Sequence, residues 1–207
     1  TQCAARRSDG SRQWPGGRPM SAHRSNGAPA AWLLAGVTCL TLFALAGCAG
    51  GPPREPIKTV EYVDLERFMG DWYVIANIPT FIEKGAHNAV EGYRIDEDGS
   101  IATTFTFRKD GFDGELKTYA PRGFVEDRQS NAVWGMQFVW PIKSDFRIIW
   151  LDEAYSQTVI GRNKRDYVWI MARQPTIPEA DYRKIVEFLA AQGYDTTRIQ
   201  KVPQRWE

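Results

Sequence analysis

The sequence predicts an all-β protein with one helix. Eight antiparallel strands joined in chain order close an up-and-down barrel, and a C-terminal α-helix packs outside it. Three observations predict this. From residue 71 to residue 173, short runs of strand character recur about every ten residues. Glycine- and aspartate-bearing turns separate them, as in "DEDG" at 96–99 and "KDGFDG" at 109–114, where Gly supplies the positive φ of a tight hairpin. One amphipathic stretch then follows the last run.

The first element precedes the domain. "APAAWLLAGVTCLTLFALAGCAG", residues 28–50, carries no charge. Its apolar part has the length of a long signal-peptide core and lies at the short end for a membrane span. Leu45-Ala46-Gly47-Cys48 resembles the lipobox of bacterial lipoproteins, in which small residues precede a cysteine that is acylated and becomes the mature N-terminus. The alternative is an uncleaved anchor with an incidental cysteine. The resemblance implies lipidation at Cys48 and, with Ala rather than Asp at position 49, sorting to the outer membrane. Residues 1–47 are therefore read as a signal region. Residues 1–19 lie upstream of Met20, whose "MSAHRSNGAPAAW" suits a positive n-region and the true start. Residues 48–60, rich in Pro and Gly, are read as a lipidated, extended tether, and residues 61–207 as the domain.

Composition narrows the function classes. The chain has 207 residues, 26 basic and 25 acidic, with eight Trp. Five Arg and one Asp fall in residues 1–47, so 21 basic face 24 acidic residues from Cys48 onward. No basic run there is longer than "RNKR" at 162–165, which argues against nucleic acid as a partner. Cys3, Cys39 and Cys48 are the only cysteines, so the domain itself holds no disulfide. With His23 and His87 the only histidines, neither a Ser-His-Asp triad nor a multi-histidine zinc site is expected. No cofactor, metal or catalytic residue is assigned.

Strands are predicted near 71–78, 87–96, 100–108, 114–126, 131–140, 145–151, 155–161 and 166–173. Alternation gives each strand two faces. Ile101, Thr103, Phe105 and Phe107 share one face; so do Trp134, Met136, Phe138 and Trp140, then Phe146, Ile148 and Trp150, then Tyr167, Trp169 and Met171. These apolar faces form the predicted interior. Such a barrel either fills itself with side chains or holds one small ligand. After the strands, "IPEADYRKIVEFLAAQGY" is a helix. Pro178 suits its first turn, Tyr182, Ile185, Val186 and Leu189 make its apolar face, and Gly193 is a natural C′ residue.

Gly70-Asp71-Trp72-Tyr73, preceded by the short helical turn "DLERFMG", resembles the Gly-x-Trp-Tyr signature of lipocalins. "GRNKRDYVWIMARQPTIP" resembles their second and third signatures, with Arg165-Asp166-Tyr167 in place of a Thr-Asp-Tyr-like triplet and Arg173 closing the last strand. The match runs from about residue 62 to 202. Together with the lipobox, the chain resembles bacterial outer-membrane lipocalins of the apolipoprotein D-like branch. The resemblance implies structural roles for Gly70, Trp72, Asp166, Tyr167 and Arg173, with the Arg173 guanidinium over the Trp72 indole closing one end of the barrel. It also implies a lipophilic small-molecule partner, a fatty acid or lysophospholipid, that is stored or transported without catalysis.

Strand parity nominates Tyr93, Phe105, Phe107, Trp134, Met136, Phe138, Trp140, Phe146, Trp150 and Trp169 as ligand contacts. Glu91 shares parity with Ala89 and Tyr93; an inward carboxyl would orient a headgroup, but a bulge placing it in solvent is the favoured reading. The loop at 78–88, with Phe81 and Ile82, resembles the lid over a lipocalin mouth, and its apolar residues either touch a membrane or fold over the pocket. Two other functions stay open: a structural envelope lipoprotein with a filled barrel, and, less favoured, a lipocalin-type enzyme. Oligomeric state is not legible.

Overall fold

The computed structural model describes residues 55–206. The signal region and Cys48 lie outside the described residues. A short helix, α1 (Leu65–Phe68), leads into β1 (Gly70–Ile78), β2 (Ala86–Ile95) and β3 (Ile101–Lys109). Next come β4 (Leu116–Tyr119), β5 (Arg122–Val125), β6 (Val133–Val139), β7 (Ile142–Leu151), β8 (Gln157–Gly161) and β9 (Val168–Ala172). Helix α2 (Glu179–Ala191) and a two-residue strand, β10 (Gln200–Lys201), complete the order.

All neighbouring strands are antiparallel, and β9 pairs with β1 to close the cylinder. The single strand expected over 114–126 is two pieces. Both β4 and β5 pair with β3, and the break falls at Ala120-Pro121, where proline lacks the N–H a continuous ladder needs. Counted as one bent strand, they make the barrel eight-stranded. Strand β10 adds to the edge of β1, an element that two residues of sequence do not announce. The short turn before Gly70 is a true helix, capped by Asp64, whose carboxylate accepts from Arg67 N.

Hydrogen-bonded hairpins alternate between two ends. The segments after β2, β5 and β7 lie at the end with α1 and Arg173; the loops after β1, β3, β6 and β8 lie at the other. Side-chain alternation splits the apolar residues into two cores. Inside the barrel, Phe68, Trp72, Val74, Tyr93, Ile101, Phe105, Phe107, Trp134, Ile148 and Met171 are buried together. On the outer surface, Ile75, Ile149, Val159, Val168 and Ile170 pack against Ile185 and Leu189 of α2. The helix ends as its sequence predicts, with Gly193 at φ +84°. Residues 55–60 form neither helix nor strand, yet Ile57 is buried in the outer core and its N–H donates to Asn163 Oδ1 at 2.9 Å. The end of the predicted tether is thus docked on the barrel.

Candidate functional site

The closed end is built around two side chains a hundred residues apart. Phe68, Trp72, Tyr93, Trp134 and Phe146 stack in a chain of aromatic contacts with centroid separations of 5.0–6.2 Å. Trp72 Nε1 donates to Phe68 O at 2.8 Å, so α1 is pinned beneath the indole. Arg173 lies over that ring, 3.8 Å from its centroid. This stack fills the lower half of the barrel.

The upper half is hollow. A cavity of about 510 Å³ opens at the other end, within the range of small-molecule sites. Phe105, Met136, Phe146 and Thr103 line its floor and lower wall, with Tyr119 and Pro121 beside them. Phe138, Val139, Tyr167 and Trp169 form the upper wall, and Thr80, Phe81, Ile82 and Glu83 arch over it from the loop after β1.

Five of the ten residues nominated from parity therefore meet in the cavity wall: Phe105, Met136, Phe138, Phe146 and Trp169. The structure places the other five elsewhere. Tyr93 and Trp134 belong to the aromatic stopper below the floor. Phe107 is buried behind the wall, 5.2 Å from Phe105 and 6.2 Å from Tyr119 between centroids. Trp140 is 81% exposed on the β6–β7 turn, because its strand ends at Val139 and alternation stops with it. Trp150 packs in the outer core. A register shift between Ile148 and Trp150 inserts one residue and reverses parity for the rest of β7.

Glu91 is the principal correction. It faces inward and lines the cavity. The bulge in β2 falls earlier, between His87 and Val90, and leaves the parity of Glu91, Tyr93 and Ala89 intact. The Tyr93 hydroxyl donates to Glu91 Oε2. Burial pushes the Glu91 carboxyl from 4.5 up to about 7; the Tyr93 hydrogen bond pulls it down and the negative charge of Glu83 pushes it up. Its partly accessible surface faces the cavity rather than bulk water. Burial, and then the Glu91 carboxylate, pushes the Tyr93 phenol well above its ordinary value.

Glu83, not singled out from sequence, ties the lid down. Its Oε1 accepts from Trp169 Nε1 at 2.6 Å, and its Oε2 accepts from both the N–H and the hydroxyl of Thr80 at 2.7 Å. An acid directly after Phe81-Ile82 in the lid loop was the available signal. Asp166 and Tyr167 sit beside the mouth: Asp166 Oδ1 lies 3.5 Å from Arg162 Nε, and the Arg162 guanidinium lies 5.2 Å over the Tyr167 ring. The carboxylate pair Asp152-Glu153 is structural on the Asp152 side, which accepts from Ser156 N, Ser156 Oγ and Gln157 N in the β7–β8 turn. Among the described residues no three His, Cys, Asp or Glu side chains converge to hold a metal ion.

A closed antiparallel barrel with one stoppered end and one apolar, open end defines a small-ligand-binding β-barrel. The comparisons with known proteins make the assignment specific. The family model of the lipocalin-like domain matches residues 63–204, and the chain belongs to that family. It is 27% identical to outer membrane lipoprotein Blc of Vibrio cholerae over 165 residues, covering 78% of this chain and 93% of that protein. It is 26% identical to temperature-induced lipocalin-1 of Arabidopsis thaliana, covering 73% and 84%, and 26% identical to apolipoprotein D of Bos taurus, covering 77% and 91%. Among solved structures it is similar to the cockroach allergen Per a 4, with a TM-score of 0.56 at 17% identity over 74% of this chain and 97% of that one. Insecticyanin of the tobacco hornworm Manduca sexta matches with a TM-score of 0.56 at 12% identity, over 74% and 86%.

Proposed function

We propose that this protein is a lipid-anchored lipocalin of the bacterial outer membrane, facing the periplasm, that binds and stores or transports a lipophilic molecule of fatty-acid or lysophospholipid type. The observation that carries the reading is the apolar cavity above the Trp72 stopper. Burial of ligand surface there supplies affinity at about 25 cal/mol per Å² before the costs of association. The similarity to Blc outer membrane lipoproteins and the lipobox-like sequence ending at Cys48 support the envelope location. The mouth is apolar too: Phe81, Val139, Trp140 and Ile142 are exposed around it, a collar suited to exchange of a greasy ligand with a lipid phase.

Delipidated protein titrated with a fluorescent fatty acid tests this reading, because Trp169 lies in the wall. Saturable quenching at one site per chain is expected. Absence of saturable quenching, together with no co-purifying lipid by mass spectrometry, sinks it.

A further inference from the structure

Two of the three acids in the cavity wall are already engaged. Glu83 is saturated by Thr80 and Trp169. Asp145 accepts from Arg147 Nε at 2.8 Å and from Asn163 N at 2.7 Å. Two charged side chains of the wall keep bonding capacity, and they stand at opposite ends. At the mouth, Arg162 lines the cavity; its Nε is buried without a hydrogen-bond partner, and the nearest carboxylate oxygen, on Asp166, is 3.5 Å away. At the floor, Glu91 has one oxygen occupied by Tyr93; its Oε1 accepts no hydrogen bond and the side chain makes no ion pair among the described residues. Beside it the Thr103 hydroxyl, 4% exposed, makes only a long contact of 3.4 Å to Ile101 O and one of 3.8 Å to Met136 Sδ. Buried polar groups in folded proteins almost always have partners, and Arg162 Nε has none; Glu91, which opens on the cavity, keeps one acceptor oxygen free, so each end offers bonding capacity to a ligand.

We propose that the ligand is an amphiphile polar at both ends, with an anionic group held by Arg162 at the mouth and a hydrogen-bond-donating group, such as a hydroxyl, placed on Glu91 and Thr103 at the floor. This rests on the carrier reading above and narrows its ligand class from plain to end-hydroxylated acyl chains. An unsubstituted chain ends in a methyl group that leaves the carboxyl and the hydroxyl of the floor unpaired. A second carboxylate at the inner end meets the Glu91 charge at close range in an apolar setting. Sites built to bond a substrate hydroxyl discriminate strongly against analogues that lack it, for this reason. Glu91 lies five residues along β2 from Ala86 at the rim, about 16 Å of strand at ~3.3 Å per residue, a depth that a dodecanoyl chain spans.

The test is calorimetric titration of the delipidated full chain at pH 8 with ω-hydroxydodecanoate, dodecanoate and dodecanedioate. The hydroxy acid is expected to bind about tenfold or more tightly than dodecanoate, the scale of one well-made buried hydrogen bond, and the diacid more weakly than either. Glu91→Leu is expected to abolish or reverse the preference for the hydroxy acid, and Arg162→Gln to weaken all three without changing their order. Equal or tighter binding of dodecanoate by the unaltered protein overturns this inference and leaves the carrier reading standing. No binding of any of the three overturns both.

Discussion

Arg173 holds the closed end of the barrel by laying its guanidinium 3.8 Å over the Trp72 ring while donating to four carbonyls around it. Nη1 bonds Asp71 O at 2.8 Å, and Nη2 bonds Arg67 O, Phe68 O and Met69 O at 2.9, 3.0 and 2.7 Å. Three of those carbonyls lie at the C-terminal end of α1, which has no further turn to use them. One side chain at the end of β9 thus ties the plug helix to the first strand. Arg173→Ala is expected to cost about 2–4 kcal/mol, from the cation–π contact and the charged hydrogen bonds together. Arg173→Lys should recover only part of this, because an ammonium cannot spread over the ring and several carbonyls at once. Urea denaturation of both variants checks the ranking; equal stability of the lysine variant and the parent protein refutes it.

The same contact explains Gly70. Its φ is +91°, and a Cβ there meets Arg173 Nη1 at 3.3 Å. Gly70→Ala therefore carries both a left-handed backbone penalty and a push on the guanidinium. A loss of roughly 1–2 kcal/mol is expected. In Arg173→Ala the push is gone, so Gly70→Ala should cost less in that background, a coupling that a double-mutant cycle reads directly.

The barrel and its stopper were legible in the sequence because each depends on short-range signals. Alternation placed Ile101, Thr103, Phe105 and Phe107 inward, and all four are buried there. Glycine turns marked the hairpins, and Gly70-Asp71-Trp72-Tyr73 with Arg173 marked the plug. The cavity was half legible. Parity fails wherever the ladder slips: one inserted residue sent Trp150 to the outer core, and a strand ending at Val139 left Trp140 in solvent. How far the stopper rises was not legible either. Trp134 and Tyr93 have the right parity but the wrong depth, and depth depends on how Phe68 of α1 reaches into the barrel, which no strand pattern encodes.

The lid should open when its carboxylate is removed. Glu83→Ala deletes three hydrogen bonds, to Trp169 Nε1 and to the N–H and hydroxyl of Thr80. At about 1 kcal/mol net for each, with partial compensation by water, roughly 2 kcal/mol of local stability is lost. Amide exchange at Thr80, Glu83 and Ala86 should then quicken about thirtyfold, with little change in strands β3 or β8. Bound ligand should also leave faster. Unaltered exchange in this loop would show that Glu83 does not hold it.

Lipid attachment is the basis of the proposed location, and Cys48 is its single candidate. Cys48→Ser should abolish incorporation of labelled fatty acid into the protein and leave residues 1–47 uncleaved, since the cysteine is both acyl acceptor and mature N-terminus in the lipobox reading. The barrel should stay folded, with its Trp fluorescence unchanged. Absence of fatty-acid label from the unaltered protein, with residues 1–47 still attached, would point instead to residues 28–50 acting as an uncleaved span.

Glu91 makes stability depend on pH in an uncommon direction. In the unfolded chain its carboxyl titrates near 4.5, and in the folded protein at about 7. Between those values the folded state keeps a proton that the unfolded chain has released, so stability falls as pH rises through this window. At about 1.4 kcal/mol per pH unit, the loss from pH 4.5 to 7 reaches at most about 3.5 kcal/mol, and the contribution is flat above and below. Asp98, Asp127 and Glu179 have carboxyls held below their ordinary values, chiefly by hydrogen bonds from Ser100, Ser130 and Lys201. They act oppositely, losing stability only as pH falls through the usual carboxylate range and below. Tyr93 and Glu83 are the titratable groups against Glu91, and the phenol stays protonated throughout. Glu91→Gln keeps the hydrogen-bond acceptor and cannot ionise. Denaturation free energies of the two proteins, measured between pH 4.5 and 8, should diverge steadily up to about pH 7 and then run parallel, with the glutamine variant the more stable at neutral pH. Parallel curves across the whole range would mean that the Glu91 carboxyl titrates as it does in water, and so does not lie at the floor of an apolar cavity.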